Sequence, residues 1–408
     1  MRSLIKLRRG QGIFKEYVDS ENLKLVLIVA GEASGDLHGG NLVHAMKRLD
    51  PGISFWGIGG SKMKDAGVKI LKSSSDMAVV GLTEVFTRLY TIIRTHLKLK
   101  YILKTIHPEL LILLDYPGFN IHLARSAKRY NVPVLYYISP QVWAWRRGRV
   151  RKIAKRVNRM AVILPFEKDF YQDTDLLVEY VGHPLLDGIP HGLDRDKILS
   201  DMGLKDAKPI VGLLPGSRDE EVGNLLPPMV EAVEILSAQY PNLKCVLPLA
   251  STISRDFVQS IIKESSVEIA ISQESIYKTL MVCDLVFVAS GTATLEAAIM
   301  EVPMIIVYRV SLITSWIAKM LVKVPYIGLV NLVAGEEVVP ELIQDEVTPQ
   351  RLVDEAIPIF ENDHKKLEMI RKLRMVKERL GEGGASEKTA RIALELIREK
   401  DGENNISG

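Results

Sequence analysis

One pattern restricts this chain more than any other: short, near-continuous apolar runs alternate with stretches of helical periodicity between residues 23 and 308. The first series is "LKLVLIVA" (23–30), "ISFWGI" (53–58), "ELLILLD" (109–115), "VPVLYYI" (132–138), "RMAVIL" (159–164) and "LVEYVG" (177–182). After the Pro- and Gly-containing "HPLLDGIPHGLDRD" comes a second: "PIVGLLPG" (209–216), "LKCVLPLA" (243–250), "SVEIAIS" (266–272), "DLVFVASG" (284–291) and "VPMIIVY" (302–308). Apolar runs of this kind fit strands covered on both faces. Their alternation with helices such as 220–239 and 292–300 winds a parallel sheet. The expected class is α/β: two Rossmann-like doubly wound domains over 25–183 and 184–360, with C-terminal helices over 361–408 packing back on the first domain. Ligands bind beyond the carboxyl ends of such strands, so two domains facing each other make one cleft. Residues 1–24 read as a loosely ordered basic extension.

Bulk properties exclude several classes. The formal net charge is +3, so no global polyanion partner is implied, and no nucleic acid is expected. The two cysteines, Cys245 and Cys283, lie in apolar runs and read as buried free thiols. No Cys/His cluster suggests a metal, and His38, His96, His107, His122 and His183 have no metal-like spacing. The N-terminus lacks the apolar run and cleavage site of a signal peptide. The most apolar stretch, 310–335, contains Trp316 but is broken by Lys319, Lys323 and Pro325.

The second domain carries the phosphate signals. In "LLPGSRDEEV" (213–222), Gly216 makes a turn and Ser217 can cap the following helix. Arg218 stands where a guanidinium can clamp a diphosphate, or it is a plain surface arginine. In "ASGTATLEAA" (289–298), Ser290, Gly291, Thr292 and Thr294 repeat the logic at a helix N-terminus. Glu296, one turn further on, either accepts two ribose hydroxyls or caps its own helix. Two such turns and a diol-seeking acid in one domain favour a nucleotide.

The first domain reads differently. "VAGEASGDLHGG" (29–40) opens a helix after a strand, the usual place for a phosphate, yet it supplies Glu32 and Asp36. "LLDYPGFN" (113–120) ends a strand in Asp115, either a helix cap or a partly desolvated base that Asn120 orients. "SPQVWAWRRGRVRKIAKRVNR" (139–159) places eight basic residues after Trp143 and Trp145, beginning at Arg146 and Arg147. It is a solvated face or a site for an anionic membrane or phosphorylated ligand. The helical stretch 80–109 has a broad apolar side, with Arg94 and Lys98 among its basic residues. It is an ordinary core helix or a greasy, basic wall for acyl chains or a bilayer.

Together these motifs resemble the lipid-A-disaccharide synthase family. The resemblance is carried by "GEASGD" (31–36), "DYPGFN" (115–120), "SPQVWAWR" (139–146), "LPFEKDFY" (164–171), "VGHPL" (181–185), "LLPGSR" (213–218), "ASGTATLE" (289–296), "VPMIIVYR" (302–309) and "NLVAGEEVVPELIQ" (331–344). It implies a GT-B-like pair of domains and an inverting transfer without cofactor or metal. UDP-2,3-diacylglucosamine and 2,3-diacylglucosamine 1-phosphate (lipid X) would give the β(1→6) disaccharide and UDP. Asp115 is then expected to be the general base, supported by Glu32, while Ser34 and Asp36 meet sugar hydroxyls or organise the cleft. Asn331 and Arg309 are further substrate-binding candidates by the same resemblance. Acylated substrates imply an enzyme resting peripherally on the cytoplasmic face of the inner membrane. The chain departs from the family pattern at Glu336, where many members carry Arg, and at Gly118, where many carry Asp. The rivals are another UDP-sugar GT-B enzyme, of the peptidoglycan-precursor N-acetylglucosaminyltransferase or UDP-N-acetylglucosamine 2-epimerase type, and a non-catalytic lipid- or nucleotide-binding module. A nicotinamide dehydrogenase lacks support, since no GxGxxG opens a strand–helix turn.

Overall fold

The computed structural model describes residues 24–74, 85–140, 147–190, 192–310 and 325–406. Its apolar runs form two all-parallel sheets. The first contains β1 (Lys24–Ala30), β2 (Ile53–Gly59), β3 (Val68–Ser73), β4 (Leu110–Leu114), β5 (Val134–Tyr137), β6 (Arg159–Val162) and β7 (Leu177–Tyr180), in the order β3-β2-β1-β4-β5-β6-β7. The second contains β8 (Ile210–Leu214), β9 (Lys244–Pro248), β10 (Ile269–Ser272), β11 (Leu285–Ala289), β12 (Met304–Tyr308) and β13 (Glu341–Ile343), in the order β10-β9-β8-β11-β12-β13. Central strands such as β1, β4, β8 and β11 are buried almost throughout, because helices cover both faces. Strands β3 and β13 escape the apolar-run criterion. Both lie at sheet edges and bury only part of their side chains.

Strand order reverses direction between β1 and β4 in the first sheet and between β8 and β11 in the second. These switch points open a crevice beyond the strand ends, because the connections leaving the two central strands go to opposite sides.

The chain passes between the sheets twice, and the two passages are tied together. The His183 amide donates to the Leu380 carbonyl at 2.8 Å, and Asp187 accepts from the amides of Gly384 and Ser386 at 2.6 and 3.2 Å. His183 and His38 are buried near this crossing. Burial pushes their imidazoles down, to about 3 and about 4. The tail then forms helices Pro349–Glu361, Asp363–Arg379 and Ala385–Ile406. The last packs along the helix Ala33–Leu49 of the first sheet. Arg159 on β6 reaches its Glu395 at 2.7 Å and Glu399 at 2.5 Å, and its Lys400 reaches Glu109 at 2.7 Å. Cys245 and Cys283 are buried free thiols. No helix among the described residues is long and apolar enough to cross a membrane.

Candidate active site at two strand-switch points

At the first switch point, β1 runs into Glu32 and β4 runs into Asp115. Asp115 and Tyr116 both have φ of 43°, in the left-handed region. For residues with a Cβ this costs about 1–3 kcal/mol each and persists only where neighbours enforce it. The enforcement is visible. Asn120, fully buried, donates Nδ2 to the carbonyls of Leu114 and Asp115 at 3.0 and 2.7 Å. Gly31 makes room for the Tyr116 ring, since a Cβ there would lie 2.4 Å from it. The ring continues into a stack with Phe119, centroids 5.8 Å apart.

This turn leaves the Asp115 carboxyl largely buried beside Glu32. Burial, then the neighbouring negative charge, push it up to about 6, and the Tyr116 amide offsets part of that. Glu32 is exposed and caps nothing through its side chain, although it is the N-cap residue of its helix. Asp115 therefore holds a proton-accepting carboxylate near neutral pH, the poise a general base needs. Ser34 is exposed in the first turn of that helix. Gly118 faces open space: a Cβ there would meet nothing within 4 Å.

Of the two roles expected for Asp36, its contacts fit the organising one and not sugar binding. Its carboxylate is buried and accepts from the amides of Gly60, Lys62 and Met63 at 2.6, 3.0 and 3.1 Å. It caps the helix Ser61–Asp65 and holds the loop after β2, so it organises the crevice and does not face it.

At the second switch point, the turn after β8 has Gly216 at φ 116° and then Ser217 and Arg218. Glu221 fills this turn: Oε2 accepts from the Ser217 and Arg218 amides at 3.0 and 3.2 Å, and Oε1 from Arg218 Nη1 at 2.6 Å. A Cβ on Gly216 would meet Glu221 Oε2 at 2.4 Å. The amides and guanidinium that would hold a phosphate are thus already turned toward an anion. The Arg218 side chain is 74% exposed and is free to follow one.

After β11, Ser290 Oγ donates to the Ile327 carbonyl at 3.1 Å, and Thr294 Oγ1 turns inward to the Gly291 carbonyl at 2.7 Å. Thr292 is exposed, and a Cβ on Gly291 would meet nothing within 4 Å, so a ligand can approach this helix N-terminus. Glu296 does not cap its helix. Burial alone pushes it up to about 7, and among the described residues none hydrogen-bonds it. A half-buried carboxylate with unused acceptors is suited to a pair of hydroxyls.

Two expectations are corrected. Asn331 is fully buried: Nδ2 donates to the Val339 carbonyl and Glu341, and Oδ1 accepts from the Val338 and Val339 amides. Its hydrogen-bonding capacity goes to the loop before β13. Arg309 donates to the carbonyls of Gln344, Asn224 and Val347, which makes it a tie between β12 and its surroundings. Glu336 pairs with Lys372 at 3.0 Å on the helix Asp363–Arg379. Among the described residues no group of His, Cys, Asp or Glu is arranged to hold a metal.

Trp143, Trp145, Arg146 and Trp316 lie outside the described residues, and Arg147 begins the short turn Arg147–Arg149. Arg94 and Lys98 are exposed on the helix Val85–Thr105. Sequence reasoning missed Glu221, although its place three residues after Arg218 is the capping-box spacing. It also missed Tyr116 and Tyr136, which carry no local signal.

A model of the lipid-A-disaccharide synthetase family matches residues 26–395. The chain is 47% identical over 373 residues to the lipid-A-disaccharide synthase of Geobacter sulfurreducens, covering 91% of this chain and 97% of that one. It is 40% identical over 374 residues to that of Coxiella burnetii, covering 92% and 99%. Among solved structures, the UDP-GlcNAc 2-epimerase of Neisseria meningitidis bound to UDP-GlcNAc superposes with a TM-score of 0.63 at 14% identity, over 91% of this chain and 100% of that one. The kitacinnamycin glycosyltransferase gives 0.63 at 13%, over 92% and 99%. These two likenesses are of fold.

Proposed function

Because the chain belongs to the lipid-A-disaccharide synthase family, we propose that it joins UDP-2,3-diacylglucosamine to lipid X in lipid A biosynthesis. The observation that supports this most is the contrast between its two switch points: a poised carboxylate at one, an anion-ready turn and a hydroxyl-seeking acid at the other.

In this reading, residues 25–183 hold the acceptor and residues 184–360 the nucleotide sugar, across one cleft. The acceptor 6-hydroxyl oxygen attacks the anomeric carbon and its proton passes to Asp115. The bond from that carbon to the diphosphate oxygen breaks, and UDP leaves with the electron pair. One displacement inverts the anomeric centre. The Arg218 guanidinium, with the Ser217 and Arg218 amides, takes the leaving diphosphate once Glu221 moves aside. Glu296 accepts the ribose hydroxyls. Glu32 keeps Asp115 basic and helps place the acceptor.

Acylated substrates need a route from the bilayer. Tyr90, Ile93, Leu97 and Tyr101 are exposed at helical spacing on Val85–Thr105, with Arg94 and Lys98 beside them. This face is suited to peripheral docking on an anionic membrane surface, which for this pathway is the cytoplasmic side of the inner membrane. Co-sedimentation with anionic but not neutral vesicles, lost in Leu97→Asp, tests the docking.

The reaction is tested by UDP release from purified protein in detergent micelles, given UDP-2,3-diacylglucosamine with and without lipid X. Release that requires lipid X, with a disaccharide phosphate seen by mass, is the expected result. No release with verified substrates overturns the reading.

A further inference from the structure

The left-handed turn at Asp115 has a second restraint, from a strand neighbour that carries no sequence signal. Tyr136 lies on β5, next to β4, and is completely buried. Its hydroxyl donates to the Asp115 carbonyl at 2.5 Å, the same oxygen that receives Asn120 Nδ2 at 2.7 Å. The Tyr136 hydroxyl also lies beside the Asn120 side chain, whose buried Oδ1 has no hydrogen-bond partner among the described residues. Two donors from different elements thus converge on one carbonyl, at the first of two consecutive non-glycine residues with φ of 43°. Nothing in packing requires this. An aromatic ring fills a core position equally well without a hydroxyl, and a burial this complete is costly for a hydroxyl that lacks a partner.

We propose that Tyr136 is a positioning residue: with Asn120 it locks the Asp115 peptide in the left-handed conformation, and so fixes the carboxylate beside Glu32 and toward the acceptor. The inference rests on the reading of Asp115 as the general base. Tyr136 touches no substrate and acts only through the peptide it holds. With the lock released, the peptide relaxes toward an ordinary conformation and the carboxylate moves away from Glu32 and toward water. Both changes return the carboxyl toward its usual range. The groups facing it are Glu32 and Tyr116, and Tyr136 itself is flanked by Tyr171 and Arg149.

The test is Tyr136→Phe in the full chain, with Asp115→Asn alongside, assayed by lipid X-dependent UDP release from pH 5 to 9 and by calorimetric UDP binding. The expected result is a kcat lowered about 10- to 100-fold, the cost of misplacing a reacting group by a fraction of an ångström to an ångström. KM for the UDP-sugar and UDP affinity stay as in wild type, and the acidic limb of the pH profile moves to lower pH. A purely structural tyrosine would lower kcat, if at all, without moving that limb, and this outcome overturns the proposal. So does a wild-type kcat and limb in Tyr136→Phe beside an inactive Asp115→Asn. An active Asp115→Asn overturns the base reading itself, and the inference with it. Should Tyr136→Phe not fold, Asn120→Ala removes the other donor and is read by the same criteria.

Discussion

The strands β1 and β4 end at two carboxylates, and no cation among the described residues is paired with either; β8 and β11 lead to an exposed arginine, amides turned toward an anion, and a half-buried glutamate. Both pairs of strands occupy the same place in sheets of the same winding. Topology therefore supplies each crevice, and side chains decide its ligand. The two sites also differ in how they are held. Around Asp115 two buried donors hold the backbone carbonyl, which gives the proposed base one position. Around Arg218 the anion-ready turn is filled by a partly exposed carboxylate and a solvent-facing guanidinium, so the groups proposed to hold the nucleotide can move.

That contrast can be broken most sharply at Asp115. Asp115→Asn should lower kcat by about 10²- to 10⁴-fold, the usual weight of a general base, while calorimetric UDP affinity stays unchanged. Arg218→Ala should do the opposite, weakening UDP binding and lowering kcat/KM by about 10²-fold. If both variants fail in the same step, the division of labour between the sheets is wrong. Glu296→Gln should raise KM for the UDP-sugar about 10-fold, consistent with loss of hydrogen bonds to a charged acceptor. Since Glu296 sits near 7, wild-type nucleotide affinity should also weaken as pH falls through 7. Glu32→Gln has the smallest expected effect. It leaves Asp115 without its negative neighbour, so the acidic limb of kcat, near pH 6 in wild type, should move to lower pH.

The same pKa shifts bear on stability, with the opposite sign to function. Asp115 and Glu296 are raised above their unfolded values, so the fold favours their protonated forms. That preference is complete below the unfolded pKa and is lost as pH rises through about 6 and about 7. At pH 8 both carboxylates are charged in poor surroundings, so Asp115→Asn and Glu296→Gln should melt no lower than wild type. A clear fall in Tm in either would mean that the carboxylate is structural.

Much of this was legible in the sequence because the signals were strong and local. The buried runs that became β1, β4, β8 and β11 are apolar on both faces, and the strand-end motifs after them contain the residues that frame both crevices. What stayed illegible depends on partners far along the chain. The edge strands β3 and β13 bury too little to mark themselves. Asp36 and Asn331 look like ligand groups because they are polar and near strand ends or a family motif. Only the fold reveals that backbone amides 24 to 27 residues away use the first, and that the loop before β13 uses the second. Tyr136 sits inside an apolar run, where a hydroxyl has no visible purpose until β4 lies next to it.

The return of the final helix to the first sheet also sets an order of events during synthesis. The helix Ala33–Leu49 emerges long before residues 385–406, which provide a surface that it buries. Until then the side that the last helix covers stays open, Arg159 has only Glu179 of β7 as a partner, and Glu109 lacks Lys400. The nascent first half is thus a client for whatever shields exposed apolar surface in the cell, and a ribosome that stalls before residue 385 leaves behind a chain whose second sheet is made but whose first domain is unfinished.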